Sequence, residues 1–408
     1  RRPPRSTQGV SSAASDVYKR QTQLDVIIKK YDKTLLWIIL ALCGIGMVML
    51  YSASSFKSLY LSSGLSDTIY LRSHLKRMII GVTAMFFFAI LDYRRLKAIA
   101  PHFIIVSIFL LILTKVMSLF DGSTAADRWL NFGFISMQTS DIARLSLIIY
   151  LAYYIDKKGN KIKEFYTGIT PPLFLIAIIL FLIVIQPDFS TAAVIGIIGF
   201  IMLFIGGAKL SHLSATACGA MLIMIPVMLM MPYRMKRIIY WLSSIFGKNQ
   251  SAVQDLGYQA QQSLISLGNG GIKGLGIGNS LEKNLFLPEP HTDFIFAIIG
   301  EELGLWGAII VLSIFLFLFQ RGIKIAKGTT DTFGILLSIG IVTSLSLYAF
   351  INVGYVTGIL PVTGLPIPLI SHGGSNLVIT LSSLGILLNI SESKRSISNK
   401  FWSNKFNA

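Results

Sequence analysis

About ten runs of mostly apolar residues constrain this chain more than any other feature. A helix needs about 20 such residues to cross the roughly 30 Å hydrocarbon layer of a bilayer. Runs of that order lie near residues 34–54, 76–92, 98–119, 140–155, 170–186, 190–206, 213–231, 292–319, 334–358 and 369–391. The 140–155 run carries charges, and those at 170–186 and 190–206 are short. Inside hydrocarbon, backbone polar groups must bond within the chain, so such runs become helices. The expectation is an all-α polytopic membrane protein with about ten transmembrane helices and a large extracytoplasmic loop, residues 232–291, between helices 7 and 8. Composition agrees: 53% of the 408 residues are hydrophobic, 13% are charged and mean hydropathy is +0.67, which excludes an ordinary soluble domain.

The net charge of +17 would otherwise suggest a nucleic-acid partner. Its distribution argues against one. Lys29, Lys30 and Lys33, then Arg94, Arg95 and Lys97, then Lys157, Lys158, Lys161 and Lys163 fall on one side if ten spans alternate. Arg321, Lys324, Lys327 and the tail cations Lys394, Arg395, Lys400 and Lys405 join them. Positive loops stay in the cytoplasm, so both termini are expected there, in a multi-pass protein that makes no nucleic-acid contact. Residues 1–23 are Ser/Arg-rich without hydrophobic period and read as disordered or non-native; 24–33 form a cytoplasmic juxtamembrane segment, 34–391 the membrane domain and 392–408 a basic cytoplasmic tail. The basic leader runs into a span long enough to anchor, so no cleavable signal is expected. Cys43 and Cys218 fall inside apolar runs and read as free buried thiols.

Three polar interruptions carry the chemistry. The first runs from Gly257 to Gly304, GYQAQQSLISLGNGGIKGLGIGNSLEKNLFLPEPHTDFIFAIIGEELG. Its glycines permit tight turns and close approach to a ligand. Pro288 and Pro290 stiffen the approach to His291, Thr292 and Asp293 at the mouth of the next span. A carboxylate there is half in water and half in hydrocarbon. The residues alone favour Thr292 or Asp293 as the cap of that helix. The second interruption is Asp141 and Arg144, three residues apart on an apolar segment with Gln138 and Ser140 beside them. At the bilayer centre each would cost about 2.5–3.5 kcal/mol unpaired. Shared helical face lets them pair in a polar cavity, while an interfacial position would leave them solvated. The third, GILPVTGLPIPLISHGGSN, is a Pro/Gly-punctuated loop re-entering the last span, tolerable at membrane depth only as a cavity wall. Asp188 in QPDFST reads as a helix cap.

Basic residues also decorate the side opposite the positive loops: Lys57, Arg72, Lys76 and Arg77, then Arg234, Lys236, Arg237, Lys248, Lys273 and Lys283. They either snorkel to lipid headgroups or face an anionic ligand. No Walker loop, HExxH or CxxC is present, and GLGIG lacks the strand–helix setting of a dinucleotide site.

Over roughly residues 34–391 these blocks resemble the SEDS family (shape, elongation, division and sporulation), which includes FtsW, RodA and SpoVE. The most specific marks are GYQ at 257–259, LPEPHTDFIFAIIGEELG at 287–304 and PVTGLPIPLISHGGSN at 361–376, with DRWLNFGFISMQTSDIAR and QPDFST in support. Thr139, Ser190 and His372 stand where the family usually has proline, glycine and tyrosine. YSASS, RGIKIA followed by DTFG, and NLFLPEPHTDFIFAI are more similar to the division branch, FtsW, than to the elongation branch.

The resemblance implies ten helices in the bacterial cytoplasmic membrane and a glycosyltransferase that polymerises lipid II into peptidoglycan at the outer face, during cell division and at the septum. It implies a cognate class B penicillin-binding transpeptidase and other divisome proteins as partners. It also reverses the reading of Asp293, which matches the family's essential extracytoplasmic aspartate and becomes the candidate general base. Asp141 and Arg144 fall on the family's charged pair. Glu289, His291, Thr292, Gln259, Lys273, Lys283, Ser371, Gly373, Gly374 and Ser375 are expected to bind substrate or support the site. Lys273 and Lys283, or else a divalent cation (Mg or Mn), would neutralise the pyrophosphate. No metal ligands are assigned. An elongation-type polymerase, a lipid II flippase and a divisome scaffold are the competing expectations.

Overall fold

The computed structural model describes residues 31–121, 128–131, 136–229, 232–245, 254–284 and 286–406. The 1–23 leader, Lys29, Lys30, Lys248 and part of the DRWLNFGFISMQTSDIAR block lie outside the described residues.

The chain folds into helices α1 (Lys33–Leu61), α2 (Ile69–Ile90), α3 (Arg94–Asp121), α4 (Thr139–Lys158), α5 (Thr170–Ile185), α6 (Phe189–Ile205) and α7 (Leu210–Leu229). Then come α8 (Pro232–Ile245), α9 (Gln254–Gly270), α10 (Ile295–Lys327), α11 (Thr332–Val356) and α12 (Gly374–Phe406). A two-stranded antiparallel ribbon, β1 (Trp129–Asn131) and β2 (Ser136–Gln138), precedes α4, with Leu130 opposite Met137. Seven helices among the described residues are long and apolar enough to cross a membrane: α1, α2, α3, Phe165–Ile185, α10, α11 and the Gly374–Glu392 part of α12. Phe189–Ile205 and Leu210–Pro226 are shorter apolar helices.

α2 lies along α12, α10 along α11 and α3 along α4, while α4 and α11 form the buried centre. Many large apolar side chains face outward, among them Ile79, Phe87, Phe109, Phe174 and Phe181. That inversion is what lipid as solvent requires, because tails are as apolar as leucine and give helices no hydrophobic reason to hide such residues. Polar contacts fasten one end of the bundle: Tyr93 reaches Asp331 at 2.5 Å, Lys97 pairs with Asp156, and Arg321 grips Asp32 at 2.7 Å. The opposite end carries α8, α9, the ribbon and the 357–373 loop.

Four expectations change. The 232–291 insert holds two helices, α8 and α9, rather than a continuous loop. α1 continues past the expected end at 54 to Leu61 and turns Ser52, Ser54 and Ser58 inward, while Tyr51 and Phe56 stay exposed. α2 begins at Ile69, because Arg72, Lys76 and Arg77 are helical and only interrupt the apolar pattern. Cys43 is buried as expected, but Cys218 is exposed on α7.

Candidate active site

α10 starts at Ile295 with Phe294 as its N-cap and no side-chain capping bond. The capping role for Thr292 or Asp293 is therefore not used: Thr292 bonds back to the Glu289 carbonyl at 3.2 Å. Asp293 instead lines a cleft of about 670 Å³. Arg128 just before β1, Arg237 from α8 and Asp188, the N-cap of α6, line it too, and Val194, Ile197 and Ile351 supply an apolar wall.

The backbone of Asp293 is clamped from α11. Its carbonyl accepts from the Asn352 amide at 2.8 Å and the Tyr355 hydroxyl at 2.7 Å. The same two groups lie 2.6 and 3.1 Å from the Leu365 carbonyl, which belongs to the facing wall of the cleft. Asn352 and Tyr355, one helical turn apart, thus pin both walls. Between those walls Gly364 has φ +72°, and a Cβ there would lie 3.3 Å from Asp293 Oδ2, so a side chain would be strained and would crowd the carboxylate.

Burial raises the Asp293 carboxyl to about 7, reinforced by the nearby negative charge of Glu289; Arg237 and Arg128 pull the other way without overcoming it. At neutral pH this aspartate is poised to exchange a proton.

The preceding residues are held tightly. Glu289 has φ +51° and accepts from Lys57 at 2.7 Å. Burial alone would raise its carboxyl, yet the hydrogen bond and charge of Lys57 outweigh that and hold it below its usual value. His291 is buried, with its ring 4.2 Å from Tyr70 and 5.7 Å from His372. His372 bonds its backbone N–H to the His291 carbonyl at 2.9 Å, and its Nε2 lies 3.1 Å from Arg77 Nη1. Burial first, and then Arg77, lower its imidazole to about 3, so it stays neutral and accepts from the arginine. The imidazole that replaces the expected tyrosine ties the re-entrant loop to α2 and to the approach to Asp293.

Asp141 and Arg144 do face each other, 3.7 Å apart and 3% exposed each. Ser375 donates to Asp141 at 2.8 Å and accepts from the Gln138 backbone at 2.9 Å. The Gln138 amide reaches Asp188 at 3.0 Å, and Asp188 caps α6 through the Thr191 N–H at 3.3 Å. A continuous polar chain therefore joins the buried pair to the rim of the cleft.

The other expected site residues divide. Ser371 accepts from the Ile367 N–H at 2.8 Å and shapes the re-entrant loop. Gly373 and Gly374 lead into α12, with Gly374 against the Trp129 ring. Gln259 is half-buried on α9 and Lys273 is exposed on the glycine-rich turn; neither lines the cleft. Lys283 turns inward to the Gly278 carbonyl at 2.5 Å and to Glu302 at 3.2 Å, so its charge is spent inside the fold.

Residues absent from the sequence-based site complete it. Arg128, Asn352 and Tyr355 were missed, and so were Glu301 and Glu302, which are buried. Glu301 accepts from Ser266 at 3.0 Å, Ser280 at 2.5 Å and the Leu281 N–H at 3.0 Å. Glu302 accepts from Ser52 at 2.6 Å besides Lys283. Together they staple the glycine-rich turn to α1 and α10. Two adjacent carboxylates inside an apolar run were a signal, since an ionisable group there needs a named partner.

A prediction follows from the clamp. Tyr355→Phe leaves two buried carbonyls to share Asn352, which should cost about 1–3 kcal/mol. The check is a lowered melting temperature in detergent; an unchanged one would show that Asn352 suffices.

A family profile described as "Cell cycle protein", FtsW/RodA/SpoVE, matches residues 33–396. A protein named probable peptidoglycan glycosyltransferase FtsW from Geobacter metallireducens is 38% identical over 368 residues, covering 89% of this chain and 95% of that one. Stage V sporulation protein E of Bacillus subtilis is 35% identical, covering 89% and 98%. Among solved structures, a chain described under the words "Structural coordination of polymerization and crosslinking by a peptidoglycan synthase complex" has a TM-score of 0.71 at 25% identity, covering 89% and 98%. Rod shape determining protein RodA of Thermus thermophilus shares the fold at a TM-score of 0.62 and 23% identity, covering 89% and 97%.

Proposed function

Because this chain belongs to the FtsW/RodA/SpoVE family of cell cycle proteins, we propose that it polymerises lipid II into glycan strands at the outer face of the cytoplasmic membrane, with Asp293 as general base. It is a peptidoglycan glycosyltransferase and an integral protein of the inner membrane. What carries the catalytic assignment is one observation: a carboxylate with a proton affinity near 7 shares a cleft with two arginines and an apolar wall.

The acceptor sugar hydroxyl attacks the anomeric carbon of the donor. Its proton passes to Asp293 as the new glycosidic bond forms, while the anomeric C–O bond breaks and undecaprenyl pyrophosphate departs. Arg128 and Arg237 are the cations placed to take up the leaving group's charge. The wall of Val194, Ile197 and Ile351 suits the first isoprene units. The cleft fits a resident divalent ion poorly. Its second carboxylate, Asp188, is already committed to Thr191 and Gln138. Among the described residues no group of three or more His, Cys, Asp or Glu is placed to hold a metal. Mg or Mn would enter as the counter-ion of the substrate's pyrophosphate.

We assign the division role, since relatives named FtsW support it, and a cognate class B penicillin-binding transpeptidase as partner, since one structural neighbour comes from a peptidoglycan synthase complex. The decisive experiment is polymerisation of purified lipid II by the purified protein, with and without that partner. Lipid II crossing a liposome membrane without glycan product would favour a flippase instead.

Counting α4, α6 and α7 with the seven apolar helices gives ten spans; with the positive loops inside, we infer that both termini lie in the cytoplasm and residues 232–291 outside. Asn269 is exposed on α9. Asn269→Cys, in a background lacking Cys43 and Cys218, should react with an impermeant thiol reagent on intact spheroplasts. Labelling only after lysis would invert the topology.

A further inference from the structure

A second groove lies at the far end of the bundle, between the start of α1 and the last turns of α10. It encloses about 500 Å³ and shares no residue with the cleft around Asp293. Trp37, Ile38, Ala41, Ile314 and Phe317 form its walls, and Arg321 and Lys324 stand at its mouth. Trp37 is 70% exposed and Phe317 60%, so no protein covers these faces.

Charge distinguishes this mouth from an ordinary lipid-facing seam. Arg321 is held by Asp32 through Nε at 3.0 Å and Nη2 at 2.7 Å, which fixes the rim and neutralises that cation. Lys324 at the mouth, and Lys33, which directly precedes the lining residue Thr34, are exposed and have no ion-pair partner among the described residues. Thr34 and Gln320 add neutral hydrogen-bonding groups at the same height. A crevice with apolar walls at membrane depth and unpaired cations at its mouth needs an occupant that is apolar along its length and anionic at one end. A polypeptide helix would meet the walls, but would bury the rim cations unless it carried a matching acid. A phospholipid satisfies both demands in one molecule.

We propose that this groove binds one anionic glycerophospholipid, its acyl chain between α1 and α10 and its phosphate on Lys324 and Lys33. Basic pockets between membrane helices recruit anionic headgroups in this way. The site stands independently of the glycan-polymerisation function and of which side of the membrane this end faces.

The test is native mass spectrometry of the full chain in mild detergent with equimolar phosphatidylglycerol and phosphatidylcholine. One phosphatidylglycerol should be retained in preference. Lys324→Glu should reduce that preference about fivefold or more, by the usual effect of one headgroup-contacting cation. Ala41→Trp, which fills the crevice, should remove the bound lipid. Lys163→Glu, at the same end but away from the groove, should change neither, and all three variants should keep the parent melting temperature. Equal retention of both lipids would overturn the proposal. So would an equal effect of Lys163→Glu, lipid retained by Ala41→Trp, or a dimer mass that competes with the lipid.

Discussion

Asp293→Asn should lower glycan-strand formation from lipid II by about 10²–10⁴-fold, the usual contribution of a general base, in a protein that stays folded. Asparagine keeps the size of the side chain and removes only its basicity. Helix capping offers no competing explanation, because Phe294 is the N-cap of α10 and no side chain caps there. The parent enzyme's rate should fall about tenfold per pH unit below about 7, where the carboxyl takes up its proton, and level off above it. Stability moves with the opposite sign. A carboxyl raised from 3.8 to about 7 binds its proton more tightly in the folded state, so its contribution is fully present below 3.8 and is lost as pH rises through about 7. The asparagine variant, which never ionises, should therefore gain melting temperature over the parent most at pH 8 and least near pH 4. Full polymerisation by the variant would remove Asp293 from the mechanism. A loss of activity accompanied by a rise in melting temperature at pH 8 is the outcome expected of a half-buried catalytic carboxylate.

The largest stability effect is expected at the other buried charge. Asp141→Ala strips Arg144 of its only carboxylate within 4 Å among the described residues, leaving it over the Tyr348 ring at 4.3 Å, with Nη1 already lacking a hydrogen bond. Arg144→Ala leaves Asp141 with Ser375 alone. Breaking one side of a buried pair costs about 3–5 kcal/mol, because the survivor is stranded. Each single variant should melt well below the parent, and the double alanine variant should recover part of the loss. Strict additivity with small single effects would mean that water reaches both groups. Activity is expected to follow, since the chain Asp141–Ser375–Gln138–Asp188 ends at the cleft.

The helices were legible because apolar runs of this length admit little else, and the misplaced edges have physical causes. α2 hides its first turns behind the exposed Arg72 and Lys76 and behind Arg77, which turns in to His372, while their backbone remains helical. The serines of α1 look like a loop but face inward, where Ser52 bonds Glu302. The site was legible only in part. Asp293 is marked by its motif, and spacing alone pairs Asp141 with Arg144. Arg128 and Arg237 reach Asp293 from segments far away in the chain, a convergence that no local pattern encodes. Asn352 and Tyr355 lie inside an apolar run where a single amide and a phenol pass as ordinary, and only the three-dimensional clamp gives them a role.

α10 spans 33 residues, about 50 Å of helix at 1.5 Å per residue, which is far more than the roughly 30 Å of hydrocarbon. It is not one rod. At Gly304, φ 66° and ψ −165° break the helix, and the glycine-rich turn bonds across the gap, with the Leu305 N–H on the Gly271 carbonyl at 2.9 Å and the Leu275 N–H on the Glu301 carbonyl at 3.0 Å. The part from Leu305 to Lys327, roughly 34 Å long, matches the bilayer by itself. A hydrocarbon layer thinner than that rod would tilt it. The half before Gly304, next to Asp293, is fastened to the glycine-rich turn, and His291 is tied to the re-entrant loop by the His372 N–H, so the bend lies between the long rod and the aspartate. A change in bilayer thickness would thus act on the Leu305–Lys327 rod and meet the bend at Gly304 before it reached Asp293.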